Sequence, residues 1–140
     1  MVRISNLEIL RLLRENSRMP FLRMAEMLGV SETAVRKRVR KLEREGVIRR
    51  YTIEMDLRKL GFKVNALIGV DTQPEHYLST LERLRGMEEV MSLYSSSGDH
   101  MILIESWFRD SEELTEFVRR LESLEGVTRV CPAIILEKIK

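Results

Sequence analysis

The chain has 140 residues, 44% hydrophobic and 33% charged, with a formal net charge of +2, enough for one ordinary core or two small ones. Cys131 is the only cysteine, so no intrachain disulfide framework argues for secretion, and a small buried side chain is its default reading. No apolar run approaches the ~20 residues of a membrane-spanning helix, and a soluble, cytoplasmic protein is expected.

Ser5-Asn6-Leu7-Glu8 has the spacing of a capping box, in which the Ser oxygen takes a first-turn N–H and the Glu reaches back. It predicts a first helix with Leu7, Ile9, Leu10, Leu12 and Leu13 on a broad apolar side. Asn16 to Pro20 break that helix, and Pro20 can begin the next, where no N–H is missed. This second helix, about 20–28, offers Phe21, Met24, Ala25 and Leu28 to a core. Gly29-Val30 then make a tight turn, and Ser31 is an N-cap for a third helix reaching to about residue 45. Along it Val35, Val39 and Leu42 recur at i, i+4 and i+7 and form one buried stripe. At about 100° per residue, Thr33, Lys37, Arg40, Lys41 and Arg44 fall roughly opposite, with Arg36 and Arg38 on the flanks. Gly46 is a left-handed stop. Val47 to Ile53 alternate as a strand would, and Arg49 and Arg50 on it are placed to lean on a DNA backbone as a wing.

A charge run is ordinarily a solvated face, and Glu43 and Glu45 make part of this one an ion-paired surface. The order helix, glycine turn, basic helix, glycine, strand decides otherwise, because it is the order of a winged helix-turn-helix that lays its last helix in the major groove. Residues near the start of that helix meet base edges and the surrounding cations meet phosphates. The candidate DNA contacts are Ser31, Glu32, Thr33, Arg36, Lys37, Arg38, Arg40, Lys41, Arg44, Arg49 and Arg50.

Beyond Lys63 the pattern changes. An apolar run from Val64 to Val70, with Gly69 inside it, reads as a buried strand. Pro74 opens a helix carrying Tyr77, Leu78, Leu81 and Leu84 and stopped by Gly86, and His76 at its start reads as solvated. Val90 to Ser95 and Met101 to Phe108 read as two strands joined by a short turn. Asp110-Ser111-Glu112-Glu113 is a second capping box, opening a helix with Leu114, Phe117, Val118, Leu121 and Leu124 that ends at Gly126. Val130 to Leu136 is a last strand, which Pro132 sends to an edge or bulge. Leu81, Glu82, Leu84, Gly86 and Val90 recur forty positions on as Leu121, Glu122, Leu124, Gly126 and Val130. The resulting β-α-β-β-α-β order is that of a ferredoxin-like sheet with both helices on one face. The apolar residues around Met101 to Trp107 leave the other face in need of a partner, which a second copy supplies.

The expected class is therefore α+β. A winged helix-turn-helix domain spans 1–52, a linker 53–62, and a ferredoxin-like effector-binding and oligomerisation domain 63–140. Charge follows this division. Residues 1–60 carry 15 Lys or Arg against 8 Asp or Glu, and residues 61–140 carry 9 against 14, so the first part suits nucleic acid and the second stays off it.

Read together, the segment GVSETAVRKRVRKLEREGVIRRYTI (29–53), Gly61 after the linker Asp56-Leu57-Arg58-Lys59-Leu60, the split β-α-β domain and the tripeptide Ser97-Gly98-Asp99 resemble the Lrp/AsnC family of feast/famine transcriptional regulators. The run VCPAIILE (130–137) resembles the archaeal members. The resemblance covers nearly the whole chain. It implies a regulator that binds double-stranded promoter DNA through a recognition helix at 32–44, as a homodimer assembling to a tetramer or octamer. It also implies an amino-acid effector held between dimers at the loop around Ser97-Gly98-Asp99, with Ser96, Ser97, Gly98, Asp99 and His100 as candidate contacts. Freed N–H groups near Gly98 can hold a carboxylate and Asp99 can pair with an α-ammonium; Gly-Asp between two strands is also an ordinary hairpin turn. The chain departs from the family at Arg3 and Asn6, where an opening Leu-Asp-x-x-Asp is common, and at His100, where an aromatic or acidic residue is usual.

Two other functions compete. Sirohaem decarboxylases resemble this family in both domains, and some relatives wrap DNA with little sequence choice. Against an enzyme stand only two histidines, His76 and His100, and no His/Cys/Asp cluster at metal spacing, phosphate-cradling glycine loop or Ser/His/Asp order. No catalytic residue, metal or cofactor is expected.

Overall fold

A computed structural model describes residues 5–140; residues 1–4, Arg3 among them, lie outside it. The chain forms two compact units that divide between Met55 and Asp56.

The first unit holds three helices, α1 (Asn6–Glu15), α2 (Phe21–Leu28) and α3 (Glu32–Arg44). Ser5 caps α1 by accepting the Glu8 N–H (3.4 Å), and Ser31 caps α3 by accepting the Ala34 N–H (3.1 Å). Ile9, Leu13, Met24, Ala25, Val35, Val39 and Leu42 form the core, with Phe21, Leu28 and Ile48 packed around it. Leu7, expected on the apolar side of α1, is instead exposed, because a ten-residue helix on a small core turns only one stripe inward. Gly29 (φ 68°) makes the turn between α2 and α3, in the left-handed region that a side chain disfavours.

The strand expected over 47–53 is not formed. The Val47 and Ile48 N–H groups both donate to the Leu42 carbonyl, closing the end of α3 rather than opening a ladder, and no segment of this unit pairs with residues 49–53 among the described residues. A strand without a neighbour leaves its backbone groups to water, and alternation alone does not stabilise it. Tyr51 ties the segment back to α3 instead: burial, then the charge and hydrogen bond of Glu43, push its hydroxyl pKa up.

The second unit runs from a 3₁₀ turn at Arg58–Leu60 through β1 (Val64–Thr72), a 3₁₀ turn at Pro74–His76, α4 (Tyr77–Arg85), β2 (Ser92–Ser95), β3 (Ile102–Phe108), α5 (Ser111–Glu122) and β4 (Val127–Ile135). The four strands are antiparallel neighbours in the order β2-β3-β1-β4, the ferredoxin-like order. Ala66, Ile68, Val70, Ile102, Ile104 and Phe108 point to one face, where Leu84, Leu114, Phe117, Leu121 and Leu124 of the helices and their ends cover them. The other alternation carries Asn65, Leu67, Gly69 and Asp71 of β1 beside Leu103, Glu105 and Trp107 of β3 and Arg129, Cys131, Ala133 and Ile135 of β4. Pro132 sits on β4, an edge strand, as its missing N–H requires.

Two local expectations change here. Asp110 caps α5 by accepting the Glu113 N–H (2.9 Å), but Glu113 returns its bond to the Arg109 N–H (2.8 Å), one residue before the position a capping box uses. His76 is half-buried rather than solvated. Its ring lies over Gly126, where a Cβ would overlap it, and the Gln73 N–H donates to the Gly126 carbonyl (2.8 Å) beside it. The repeat therefore diverges at its glycines. Gly126 (φ 84°) needs both its backbone freedom and its lack of a side chain, whereas Gly86 (φ −85°) needs neither.

Among the described residues no helix is long and apolar enough to cross a membrane, and no group of three or more His, Cys, Asp or Glu is placed to hold a metal ion.

Candidate DNA interface and a charged cluster on the open sheet face

The sequence of α3 divides its side chains cleanly. Val35, Val39 and Leu42 are buried in the three-helix core and position the helix rigidly. Thr33, Lys37, Arg40 and Arg44 are exposed and have no hydrogen-bond or ion-pair partner among the described residues. Lys41 is exposed with only a loose contact to Glu45 (3.9 Å). The flanking arginines are engaged within the unit: Arg36 pairs with Glu32 and lies over the Phe21 ring, and Arg38 Nη1 donates to Asn6 Oδ1 (3.0 Å). The Ser31 hydroxyl is committed to the cap. Arg49 and Arg50 are exposed on an irregular segment, where with Arg14 they edge a groove of about 320 Å³ floored by Leu10, Leu13 and Ile48. Lys37, Arg40 and Arg44 thus form an unpaired cationic row on a helix whose opposite side is anchored. Such a row can meet phosphates without first breaking a protein contact.

Residues 96–101 close the β2–β3 hairpin, with the Ser96 N–H donating to the Met101 carbonyl (2.9 Å) and the Ser96 hydroxyl to the His100 carbonyl (2.5 Å). Ser97, Gly98 (φ 112°) and Asp99 are exposed at its tip. His100 folds back over the open face of the sheet, its ring against Gly69 of β1. His100 Nδ1 donates to Asp71 Oδ2 (2.9 Å), and Nε2 lies 3.4 Å from Asp99 Oδ2. Arg129 closes the circuit, with Nη2 donating to Asp99 Oδ2 (3.0 Å) and Nε 3.9 Å from Asp71 Oδ2. Two carboxylates and two nitrogen bases therefore alternate around a square. Its outer corners, Asp99 and Arg129, are 77% and 50% exposed, and its inner ones, His100 and Asp71, only 16% and 17%.

Desolvation would raise the pKa of Asp71, but hydrogen bonds from His100 and the Met101 N–H, with the His100 and Arg129 charges, hold it below the usual 3.8. A folded-state pKa below the unfolded one contributes stability above the unfolded value and loses it as pH falls through the folded one. Asp71→Asn is thus expected to lower the melting temperature at pH 7 and to flatten its decline below about pH 4. Parallel wild-type and variant curves across that range would show that Asp71 makes no such contribution.

The sequence pointed to residues 96–100 but not to Gly69, Asp71 or Arg129. The available signal was Gly69 itself, since glycine inside a strand marks a close approach by something else; what approached it lay thirty-one positions away.

A DNA-reading helix-turn-helix joined to a ferredoxin-like ligand-binding domain defines the class of transcriptional regulators that carry their own sensor. An AsnC-type helix-turn-helix domain matches residues 5–43, and an Lrp/AsnC ligand binding domain matches residues 65–140. The chain is 49% identical over 133 residues to the HTH-type transcriptional regulator LrpA of Pyrococcus horikoshii, covering 94% of each chain. It is 34% identical to LrpA1 of Halobacterium salinarum, again over 94% of each. AsnC of E. coli superposes with a TM-score of 0.80 at 26% identity, covering 99% of this chain and 95% of that one. The chain belongs to the Lrp/AsnC family and is a transcriptional regulator of that type. Its relatives are named as regulators, so the decarboxylase reading is set aside.

Proposed function

We propose that the protein is a sequence-specific regulator of promoter DNA that reads a two-fold site as a homodimer and is tuned by an α-amino acid. The observation that carries the DNA half is the unpaired row Lys37, Arg40 and Arg44 opposite the buried stripe of α3. Thr33 faces base edges, and Lys37, Arg40, Lys41, Arg44, Arg49 and Arg50 face phosphates. Residues 53–62 serve as the linker. Leu67 and Tyr94, 42% and 55% exposed, with half-buried Leu103, Trp107 and Ile135, support pairing of two copies through the open sheet face. Tetramers or octamers are built from that dimer.

The effector site is the outer half of the charged square. Asp99 takes the α-ammonium, while Arg129 and the backbone N–H groups around Gly98 take the α-carboxylate. The Asp99–Arg129 pair is exposed, and an exposed pair contributes little, so a zwitterion that offers both charges replaces it at small cost. A thermal-shift screen with the twenty standard amino acids tests this, with size-exclusion chromatography to follow assembly. At least one is expected to raise the melting temperature of the wild type and to have no effect on Asp99→Ala. No shift with any of them would remove the effector reading and leave the DNA reading intact.

A further inference from the structure

Glu32 is out of keeping with its surroundings. It opens a helix whose side opposite the buried stripe is cationic and whose other exposed acid is Glu43 near the far end, and it stands where a recognition helix comes nearest to base edges. The phosphate field repels a carboxylate there. As a first-turn acid it complements the positive end of the helix, but the cap bond itself is made by Ser31, which leaves the carboxylate free to serve outward. The side chain is not loose. Arg36, one turn on, bonds to Glu32 Oε1, and the Arg36 guanidinium carbon stands 5.9 Å from the ring centroid of Phe21 on α2. A planar guanidinium held by an aromatic face and a carboxylate has little freedom left, and it holds the carboxylate in turn. Arg36 and Glu32 remain 39% and 41% exposed, and Glu32 Oε2 accepts from no donor among the described residues.

We propose that Glu32 is a specificity-determining residue that selects cytosine at one position of each half-site, with Arg36, braced on Phe21, as its positioning residue. Cytosine offers its N4 amino group in the major groove. Guanine and thymine offer the acceptors O6 and O4, which a carboxylate repels, and adenine sets the acceptor N7 beside its amino group. Pairing with Arg36 offsets much of the repulsion from the phosphates, and it leaves Oε2 to accept from N4. Glu32 thus contributes discrimination where its cationic neighbours contribute affinity.

Selection of duplexes from a randomised pool by the full-length protein at fixed salt tests the proposal. The wild type is expected to show one cytosine column per half-site, with about tenfold discrimination. Glu32→Gln moves that column to adenine, because an amide both donates to N7 and accepts from N6. Glu32→Ala levels it and leaves the other columns in place. Arg36→Ala blurs the same column, and Arg36→Lys, which keeps the ion pair, restores most of it. A motif unchanged in both Glu32 variants overturns the proposal. Arg36→Ala erasing a guanine column while the cytosine column stands would make Arg36 a reader and overturn its positioning role.

Discussion

Replacing Lys37 and Arg40 together with alanine is expected to lower affinity for a specific duplex on the order of 10- to 100-fold at about 0.15 M salt. The dependence of log K on log salt should flatten by about one unit for each phosphate left without its cation. Both side chains are exposed and unpartnered among the described residues, so neither substitution removes a packing or pairing interaction, and the melting temperature should move by no more than about 4 °C. That combination separates a DNA-binding side chain from a structural one. Arg38→Ala makes the contrast, because it breaks the bond to Asn6 and joins α3 to α1 less firmly. Salt-dependent binding measured by fluorescence anisotropy decides the matter. An unchanged slope in the double variant would mean that α3 does not face the phosphates.

Gly69→Ala is expected to be strongly destabilising to the second unit. Gly69 is buried at the centre of β1, and a Cβ there overlaps the His100 ring. The ring cannot simply move aside, since Asp71 holds its Nδ1 and the hairpin bond from Ser96 holds its carbonyl. The methyl group must expel His100 and open the charged square, or distort the strand. Overpacking of this kind costs about 1–3 kcal/mol, and each kcal/mol shifts the melting temperature of a domain this size by about 4–8 °C. His100→Ala on its own removes the hydrogen bond to Asp71, yet the double variant Gly69→Ala/His100→Ala should be more stable than Gly69→Ala, since the overlap is gone. Urea denaturation of the four proteins gives the cycle. Equal stability of Gly69→Ala and wild type would show that the ring does not occupy this position.

What was legible in the sequence was whatever is carried by local spacing. Val35, Val39 and Leu42 declared the buried side of α3, Ser31 its start and Gly46 its end, because period, cap and stop all lie within one helix. The strand order followed from two β-α-β halves and from Pro132, which needs an edge. The misreadings occurred where a local pattern required a distant partner. The alternation of 47–53 met no neighbouring strand, and the Val47 and Ile48 amides were claimed by Leu42. His76 looked solvated until Gly126, fifty positions on, supplied a floor for its ring. The square of Asp71, Asp99, His100 and Arg129 draws on three separate segments. Its geometry depends on the register that sets Asp71 against Arg129 across β1 and β4, and no spacing along the chain encodes that pairing.

Pro132 has a consequence for how copies of the chain can accumulate. A sheet with free edges invites strand addition, and each added chain exposes a fresh edge for the next. Here one edge, β2, is only four residues long, and the other, β4, carries a proline midway along its outer row of donors. Neither is a good template, so end-to-end polymerisation finds no starting point. The apolar surface that remains is the flat of the sheet, which the proposed pairing with a second copy would cover. In the proposed dimer that route closes on itself, and Pro132, which cannot donate to an added strand, leaves β4 a poor template for further growth.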